Sequence, residues 1–385
     1  LSINAGESLD YRKSILIVQP YVPTYRKAFF SQLIEQLAMR GIRCRIAAAS
    51  PQPGQLERGD AVEADWIISY SPRQLRVMDK TIGLGGARRL WAQEDGVIVG
   101  HLGSSLDSCR AILDAKRNRL RVGLWGHIKS YVNDGNPLDL AIENWQLRNS
   151  DHVFAYTPGG RDHAISKGVD EWRVTTVMNA TDTSSLVLAR DLVSTQEVGS
   201  FMEAHNLKTG RTLGYIGGLD SSKRIDFLAA TLDRLWLSDP DIRVVIGGRG
   251  SDAHLLDAAR SRGQVAMLGY VSADEQALIA RAASALVMPG RIGLVAVDAL
   301  VLGIPILTTD WPYHAPEYEY LADSKSRFTS SDDVESYASL IRRFLSYEID
   351  SQGSLGPGLW SFPTIDAMVE NFQSGILRML APEED

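Results

Sequence analysis

"VMPGRIGLVAVDALVLGIPILTTD", residues 287–310, carries the reading of the fold. A short apolar run stops at Pro289-Gly290. "GLVAVDALVLGIP" follows as a helix that ends near Gly303 and Pro305, the usual stop signals. "ILTTD" then resumes as a strand. Strand, glycine break, helix, strand is the unit from which parallel sheets are wound. One acidic residue, Asp298, stands in the first half of that helix, whose N-terminus at Gly290 to Gly293 faces the strand ends. A carboxylate there can accept two hydroxyl hydrogen bonds from a ribose, or simply favour the helix N-terminus electrostatically.

The same unit recurs along the chain. In the second half "RTLGYIGG" (211–218), "DIRVVIGGRG" (241–250), "QVAMLGYV" and "ALVMPG" (285–290) read as strands, separated by amphipathic helices such as 224–240. In the first half "SILIVQP" (14–20), "RCRIAAAS", "GVIVGH" (96–101), "RVGLWGH" (121–127) and "HVFAYT" (152–157) read as strands, with helices over 27–41 and 106–120. Residues 183–210 are polar and irregular and read as a linker followed by a helix. The expectation is an α/β chain of two doubly wound, Rossmann-like domains, joined near 183–205. Its 385 residues agree, since one domain takes roughly 100–200.

Composition narrows the function. At 44% hydrophobic and 23% charged the chain is ordinary globular protein rather than disordered. No apolar run approaches the ~18 residues of a membrane span, and the N-terminal stretch lacks the apolar core of a signal peptide. Two cysteines, Cys44 and Cys109, give no disulfide framework or metal spacing and suit a reducing cytoplasm. A net charge of −7 argues against nucleic acid as partner. The acidic excess lies in residues 201–385, so the N-terminal half is the better face for an anionic surface. There "RAILDAKRNRLR" (110–121) gathers Arg110, Lys116, Arg117, Arg119 and Arg121. It reads as a basic amphipathic helix able to rest on anionic lipid, or as a solvated helix face.

In open parallel sheets ligands bind beyond the carboxyl ends of the strands. The second half places glycines at nearly every such end: Gly217-Gly218, Gly247-Gly248-Gly250, Gly269 and Gly290. They let a ligand approach the backbone, or they simply end strands tightly. Lys223 and Arg224 follow the first pair at the start of the next helix. Cations there work against the helix dipole unless an anion such as a diphosphate shares the site. In the first half, "VQPYVPTYRKAFF" brings Tyr21, Tyr25 and Arg26 into a loop stiffened by Pro20 and Pro23. His127 and His101 end two further strands, and His127 there could hydrogen-bond a substrate hydroxyl or phosphate. The seven histidines show no metal spacing, and no metal or cofactor is expected.

Taken in order, "PYVPTYRKAFFSQL", "WGH", "SDHVFAYTPGG", "GVDEWRVTTVMNATD", "YIGGLDSSKRID", "IGGRG", "LGYV" and "PG…GL…DAL…G.PI" resemble the family-four glycosyltransferases over nearly the whole chain. The resemblance implies the GT-B fold: two Rossmann-like domains facing across a cleft, with a C-terminal helix crossing back to the N-terminal one. Residues 1–190 would then bind the acceptor and 205–358 the nucleotide sugar, with 359–385 returning to the N-terminal domain. It implies a retaining, metal-independent transfer from a UDP- or GDP-sugar to a hydroxyl acceptor, in the making of a cell-surface glycan or a glycosylated metabolite. It places the enzyme in the cytoplasm or at the inner face of the membrane.

By the same resemblance Lys223 grips the diphosphate, helped by Arg224, and His127 lies near the transferred sugar. Gly217, Gly218, Gly248 and Arg249 line the donor site, Gly269, Tyr270 and Val271 read the base, and Asp298 matches the family's ribose-binding Glu. Gly290, Arg291, Ile292, Gly293 and Leu294 present backbone N–H groups. Tyr21, Tyr25, Arg26 and His101 fall on the acceptor side. Two positions depart from the family. Gly290 stands where the first Glu of a pair usually sits, and Gly218 where an Arg often accompanies the Lys. Arg224 or Arg291 offers a replacement cation, and Glu317 or Glu319 a replacement carboxylate. Two other readings stay open: a sugar-nucleotide epimerase of the same fold, and a sugar-nucleotide-binding protein without catalysis.

Overall fold

The computed structural model describes residues 11–49, 62–71, 73–77, 80–129, 137–346 and 360–381. The N-terminal residues 1–10 and the boundary expected at 358/359 fall outside them. The chain divides into two compact units, Leu1–Asp182 with Thr364–Asp385, and Thr183–Pro363.

The first unit is built on strands β1 (Lys13–Gln19), β2 (Ile42–Ala49), β3 (Ile67–Tyr70), β6 (Gly96–Gly100), β7 (Arg121–Gly126), β8 (His152–Ala155) and β9 (Val174–Thr176), with a separate hairpin of β4 (Arg73–Val77) and β5 (Lys80–Gly85). The seven-stranded sheet runs β3-β2-β1-β6-β7-β8-β9, all parallel. Its strands are continuous apolar runs, as burial on both faces demands: Ile15, Leu16, Ile17, Val97, Ile98, Val122 and Leu124 are fully buried.

The helix Ile365–Leu380 belongs to this unit although it is last in sequence. Phe372 explains why it returns. Its ring stacks on Phe154 at 4.5 Å and meets Phe29 and Trp125 edge-on at 5.3 and 4.9 Å. Gly375 lets the helix come this close, because a Cβ there would lie 2.5 Å from the Phe154 ring. A glycine inside a helix costs about 1 kcal/mol of propensity, and the aromatic contact offsets it.

The second unit has strands β10 (Thr212–Ile216), β11 (Arg243–Gly247), β12 (Val265–Gly269), β13 (Leu286–Val287), β14 (Ile306–Thr309) and β15 (Arg327–Ser330), in the parallel order β12-β11-β10-β13-β14-β15. The chain winds outward in one direction from β10 and then in the other from β13. The strand order therefore reverses between β10 and β13, and the crevice beyond their carboxyl ends is where such sheets bind ligands. The first unit reverses in the same way between β1 and β6.

Two sequence expectations change. The stretch read as a linker followed by a helix holds a helix, Ser184–Leu192, where the linker was expected, before the helix Thr195–Ala204, which starts with a capping box formed by Ser194 and Glu197. Its polar look comes from the cap and an exposed face, while Leu186 and Ala189 join the core of the second unit. The basic run does not form an amphipathic helix. The helix ends at Ala115, so Lys116, Arg117 and Arg119 occupy the turn before β7 and only Arg110 is helical. Cations just past a helix C-terminus are favoured by its dipole.

Replacing Phe372 with Ala should destabilise the chain by about 3–5 kcal/mol, the usual cost of emptying a buried phenyl site. Urea unfolding followed by tryptophan fluorescence, which reports Trp125 beside it, checks this.

Candidate functional site

The crevice of the second unit is assembled by two loops that touch backbone to backbone. After β10 the chain runs Gly217-Gly218-Leu219-Asp220 into a short turn, Ser221–Lys223. After β13 it runs Pro289-Gly290-Arg291 into the helix Val295–Leu302. Arg291 N donates to Ser222 O at 2.9 Å, and a Cβ on Gly290 would lie 2.3 Å from the Lys223 carbonyl carbon. Gly290 is thus glycine because Lys223 occupies the space a side chain would need. This gives a physical reason for the missing first carboxylate.

That contact sets Lys223. Its Nζ donates to Arg291 O, and the Arg291 guanidinium donates to Tyr313 O at 3.0 Å. Burial lowers the Lys223 ammonium below the ordinary lysine range, as does nearby Arg291, while Asp220 and Glu317 act in the opposite sense. Burial likewise lowers Arg291, and Glu317 again opposes it. Glu317 is itself buried. The Gly-rich loop is fastened from behind by a residue the sequence did not flag. His314 accepts from Ile292 N at 3.3 Å and stacks on Tyr318 at 4.1 Å, and burial pushes it down to about 4, so the ring is neutral and can accept.

The glycines sort into two kinds. A Cβ on Gly248 would lie 1.9 Å from Gly217 O, and one on Gly250 2.0 Å from Leu219 O. The loops after β10 and β11 remain paired past the sheet, with Leu219 N donating to Arg249 O at 2.9 Å. Gly248, Gly250 and Gly290 therefore serve chain-to-chain contact rather than ligand approach. Gly217 and Gly293 have no atom closer than ordinary contact and stay open to a ligand. Gly269 has φ +78°, with Arg249 Nε 3.1 Å from the position of a Cβ. Beyond it Tyr270 is 80% exposed, while Val271 packs inward over Gly247.

Arg224 takes a different position from the one the sequence implied. It adopts a left-handed backbone, φ 54°, before the next helix. Its guanidinium pairs with Asp332, reaches Pro289 O at 3.3 Å and lies 4.3 Å over the Phe227 ring. Its charge is thereby neutralised, which leaves Arg291 as the cation beside Lys223. Asp298 sits in the first turn of the helix Val295–Leu302, as read, and burial pushes its carboxyl up to about 7.

In the first unit the loop after β1 holds Tyr21 half-buried and Tyr25 exposed, with Val22 and Pro23 packed inward. Arg26 is buried, contrary to an exposed acceptor-side role. Its Nη2 donates to Asn179 Oδ1 at 2.6 Å, and its guanidinium lies 5.1 Å from the Tyr25 and Trp125 rings and 5.4 Å from Tyr156. It braces the loop from inside. His127 is half-buried with its ring 5.0 Å from Tyr156. His101 shares a hydrogen bond with Glu143 O at 3.2 Å, and burial pushes it down to about 4, so it is neutral near pH 7.

Two family models match the chain. "Glycosyltransferase Family 4" matches residues 28–185 and "Glycosyl transferases group 1" residues 210–347. The chain belongs to the family-four glycosyltransferases. No curated relative matches it by sequence. Among solved structures it is similar to the lipopolysaccharide outer core galactosyltransferase WaaB, at 15% identity and TM-score 0.63 over 94% of this chain and 99% of that one. It is also similar to Anabaena HepE in complex with UDP, at 13% identity and TM-score 0.60 over 94% of each chain. The sucrose-phosphate synthase of Thermosynechococcus elongatus aligns at 15% identity and TM-score 0.59 over 94% of each. These likenesses establish that this glycosyltransferase has the GT-B fold. Among the described residues no helix is long and apolar enough to cross a membrane.

Two predictions follow from this geometry. Gly290→Ala should cost about 1–3 kcal/mol, as overpacking does, since the added methyl must push Lys223; urea unfolding checks this. Asp298 holds a proton in the folded chain up to about pH 7, whereas an unfolded aspartate loses it near ~4. Stability should fall as pH rises between those values, and Asp298→Asn should remove that part of the slope in unfolding curves at pH 4.5 and 7.

Proposed function

We propose that this glycosyltransferase moves a sugar, with retention of configuration, from a nucleotide diphosphate sugar to a hydroxyl acceptor. The observation that carries this reading is the pairing of Lys223 and Arg291 at the β10/β13 switch point, beside the open start of the helix Val295–Leu302. Two partly buried cations side by side repel each other, and an arriving diphosphate relieves that cost. UDP is the favoured carrier, because HepE binds UDP in a structure of the same fold.

In the reaction the anomeric C–O bond to the diphosphate breaks and a C–O bond to the acceptor oxygen forms on the same face. The acceptor proton passes to the departing phosphate. Lys223, Arg291 and the N–H groups after Gly290 offset the negative charge that develops on the leaving group, a preorganised electrostatic role that requires no metal. Asp298 holds the ribose, and the backbone at Gly269 to Val271 meets the base beside exposed Tyr270. The second unit is the donor domain and the first the acceptor domain, with His127 directed to the transferred sugar and acceptor hydroxyl. Glu317, near both cations, supplies the carboxylate that Gly290 cannot carry. The fold's similarity to a lipopolysaccharide galactosyltransferase supports a role in cell-surface glycan synthesis, on the cytoplasmic side.

A thermal-shift series tests the reading. UDP should raise the melting temperature and uridine should not, because a ligand stabilises only by binding the folded state. Lys223→Gln should weaken UDP binding about tenfold or more, the loss of one charge-assisted contact. His127→Ala should keep the UDP shift and lose turnover with UDP-sugar. A wild-type chain indifferent to every nucleotide diphosphate, or a His127 variant with full turnover, overturns it.

A further inference from the structure

The opposite end of the first unit's sheet holds a cavity of about 660 Å³. Arg121 opens β7 and Arg173 immediately precedes β9, so the cavity lies at the amino ends of the strands, away from the loops that carry His101 and His127. Arg148, in the last turn of the helix Pro137–Asn149, and Arg378, in the last turn of Ile365–Leu380, complete the wall with Trp172.

The charges do not balance. Four guanidinium groups line the cavity against two carboxylates, Asp151 and Asp170. Arg121 pairs with Asp151 at 2.8 Å, and Arg173 bonds the carbonyls of Ser150 and Asp151 and lies 3.8 Å from Asp170. Arg148 and Arg378 bond only neutral oxygens: Lys167 O at 3.0 Å and Thr175 Oγ1 at 2.9 Å. Among the described residues neither makes an ion pair. Arg378 is also held in place from behind. Thr175 Oγ1 lies 2.7 Å from Nε2 of fully buried His152, which burial, then Arg378 and Arg173, push down to about 3. A guanidinium fixed this way loses little freedom when it takes a ligand.

Arginines in last helical turns also offset the helix dipole, which accounts for one cation at each helix end. It does not account for their convergence with two more in one concavity. Nor does it explain Trp172, 61% exposed at the rim, where an indole gains nothing from water.

We propose that this cavity binds a phosphate-bearing ligand, with the guanidinium forks of Arg148 and Arg378 on phosphate oxygens and the Trp172 indole against the ligand's uncharged part. Arginine forks match phosphate geometry, and an indole face suits a sugar ring or the edge of a lipid surface. A second hollow along the same edge, lined by Lys13, Lys116 and Arg119, extends the positive surface.

The test uses the full chain carrying Lys223→Gln, which weakens anion binding by the donor site, and reads each cavity variant against that background, so that the outcome at the donor site does not decide the result. Inorganic pyrophosphate and glucose 1-phosphate are titrated by calorimetry, and phosphatidylglycerol vesicles are compared with phosphatidylcholine vesicles by co-sedimentation. Binding of at least one anionic probe is expected. Arg148→Gln with Arg378→Gln should weaken it about tenfold or more, as loss of charge-assisted phosphate contacts does. Trp172→Ala should weaken glucose 1-phosphate or vesicle binding while leaving pyrophosphate unchanged. Glucose 1-phosphate without vesicles marks a soluble ligand, and vesicles without glucose 1-phosphate a lipid headgroup. If Arg378→Gln impairs folding, seen as a lowered melting temperature, Arg148→Gln with Trp172→Ala carries the test. No binding of any anionic probe, or unchanged binding in folded variants, overturns the proposal.

Discussion

The backbone contact between Gly290 and Lys223 is the constraint on which the second unit's chemistry depends. It joins the loop after β10 to the loop after β13, the two strands between which the sheet reverses. Because a Cβ on Gly290 would lie within 2.3 Å of the Lys223 backbone, position 290 admits only hydrogen. Lys223 then directs its Nζ to Arg291 O, and Arg291 takes the place beside it that a second cation needs. Losing a carboxylate at 290 and gaining a neighbouring arginine are two sides of one packing decision. The close junction of the loops leaves no room for a side chain at 290 and seats Arg291 against the Ser222 carbonyl.

That decision leaves the site electrostatically unfinished. Burial and Arg291 lower the Lys223 ammonium against Asp220 and Glu317, and burial lowers the Arg291 guanidinium against Glu317. A fold selected for stability alone would avoid two partly buried cations side by side, whereas a site for the diphosphate proposed above benefits from them. The neighbouring elements show the usual economy of structure. Arg224 finds Asp332 and an aromatic face, and His314 stays neutral to fasten Ile292. Within this site the imbalance falls on Lys223 and Arg291.

The architecture was legible because parallel sheets write themselves as repeated apolar runs separated by helical periodicity. Strand ends, Lys223, the helix carrying Asp298 and its stop at Gly303 could all be read from residue order. What could not be read was which partner a residue meets. Gly217 and Gly248 follow successive strands, β10 and β11, with a whole helix between them, yet one is glycine because the other's carbonyl fills its side-chain space. Arg26 looks like a loop cation, and only the fold encloses it among Tyr25, Trp125 and Tyr156. The helix Ser184–Leu192 was hidden for a different reason: its exposed polar face resembles linker composition, and only the fold packs Leu186 and Ala189 into the core.

The first unit divides its chemistry between the two ends of one sheet. At the carboxyl ends the sequence offers an arginine and two histidines, but the fold removes much of that charge. Arg26 is enclosed by rings and His101 is held neutral by burial. What remains at the surface is Tyr25, half-buried Tyr21 and His127, and exposed Lys129. Aromatic faces and hydrogen-bonding groups suit a hydroxyl-bearing partner, as the acceptor proposed above is. At the amino ends the fold does the reverse. It brings arginines from two strand starts and two helix ends into one hollow and leaves two without a carboxylate. Chain polarity makes this separation possible. In a parallel sheet every loop after a strand emerges at one end and every helix C-terminus returns to the other, where cations are stabilised by the helix dipole. The same winding that leaves mainly aromatic and histidine side chains at one end therefore collects positive charge at the opposite one.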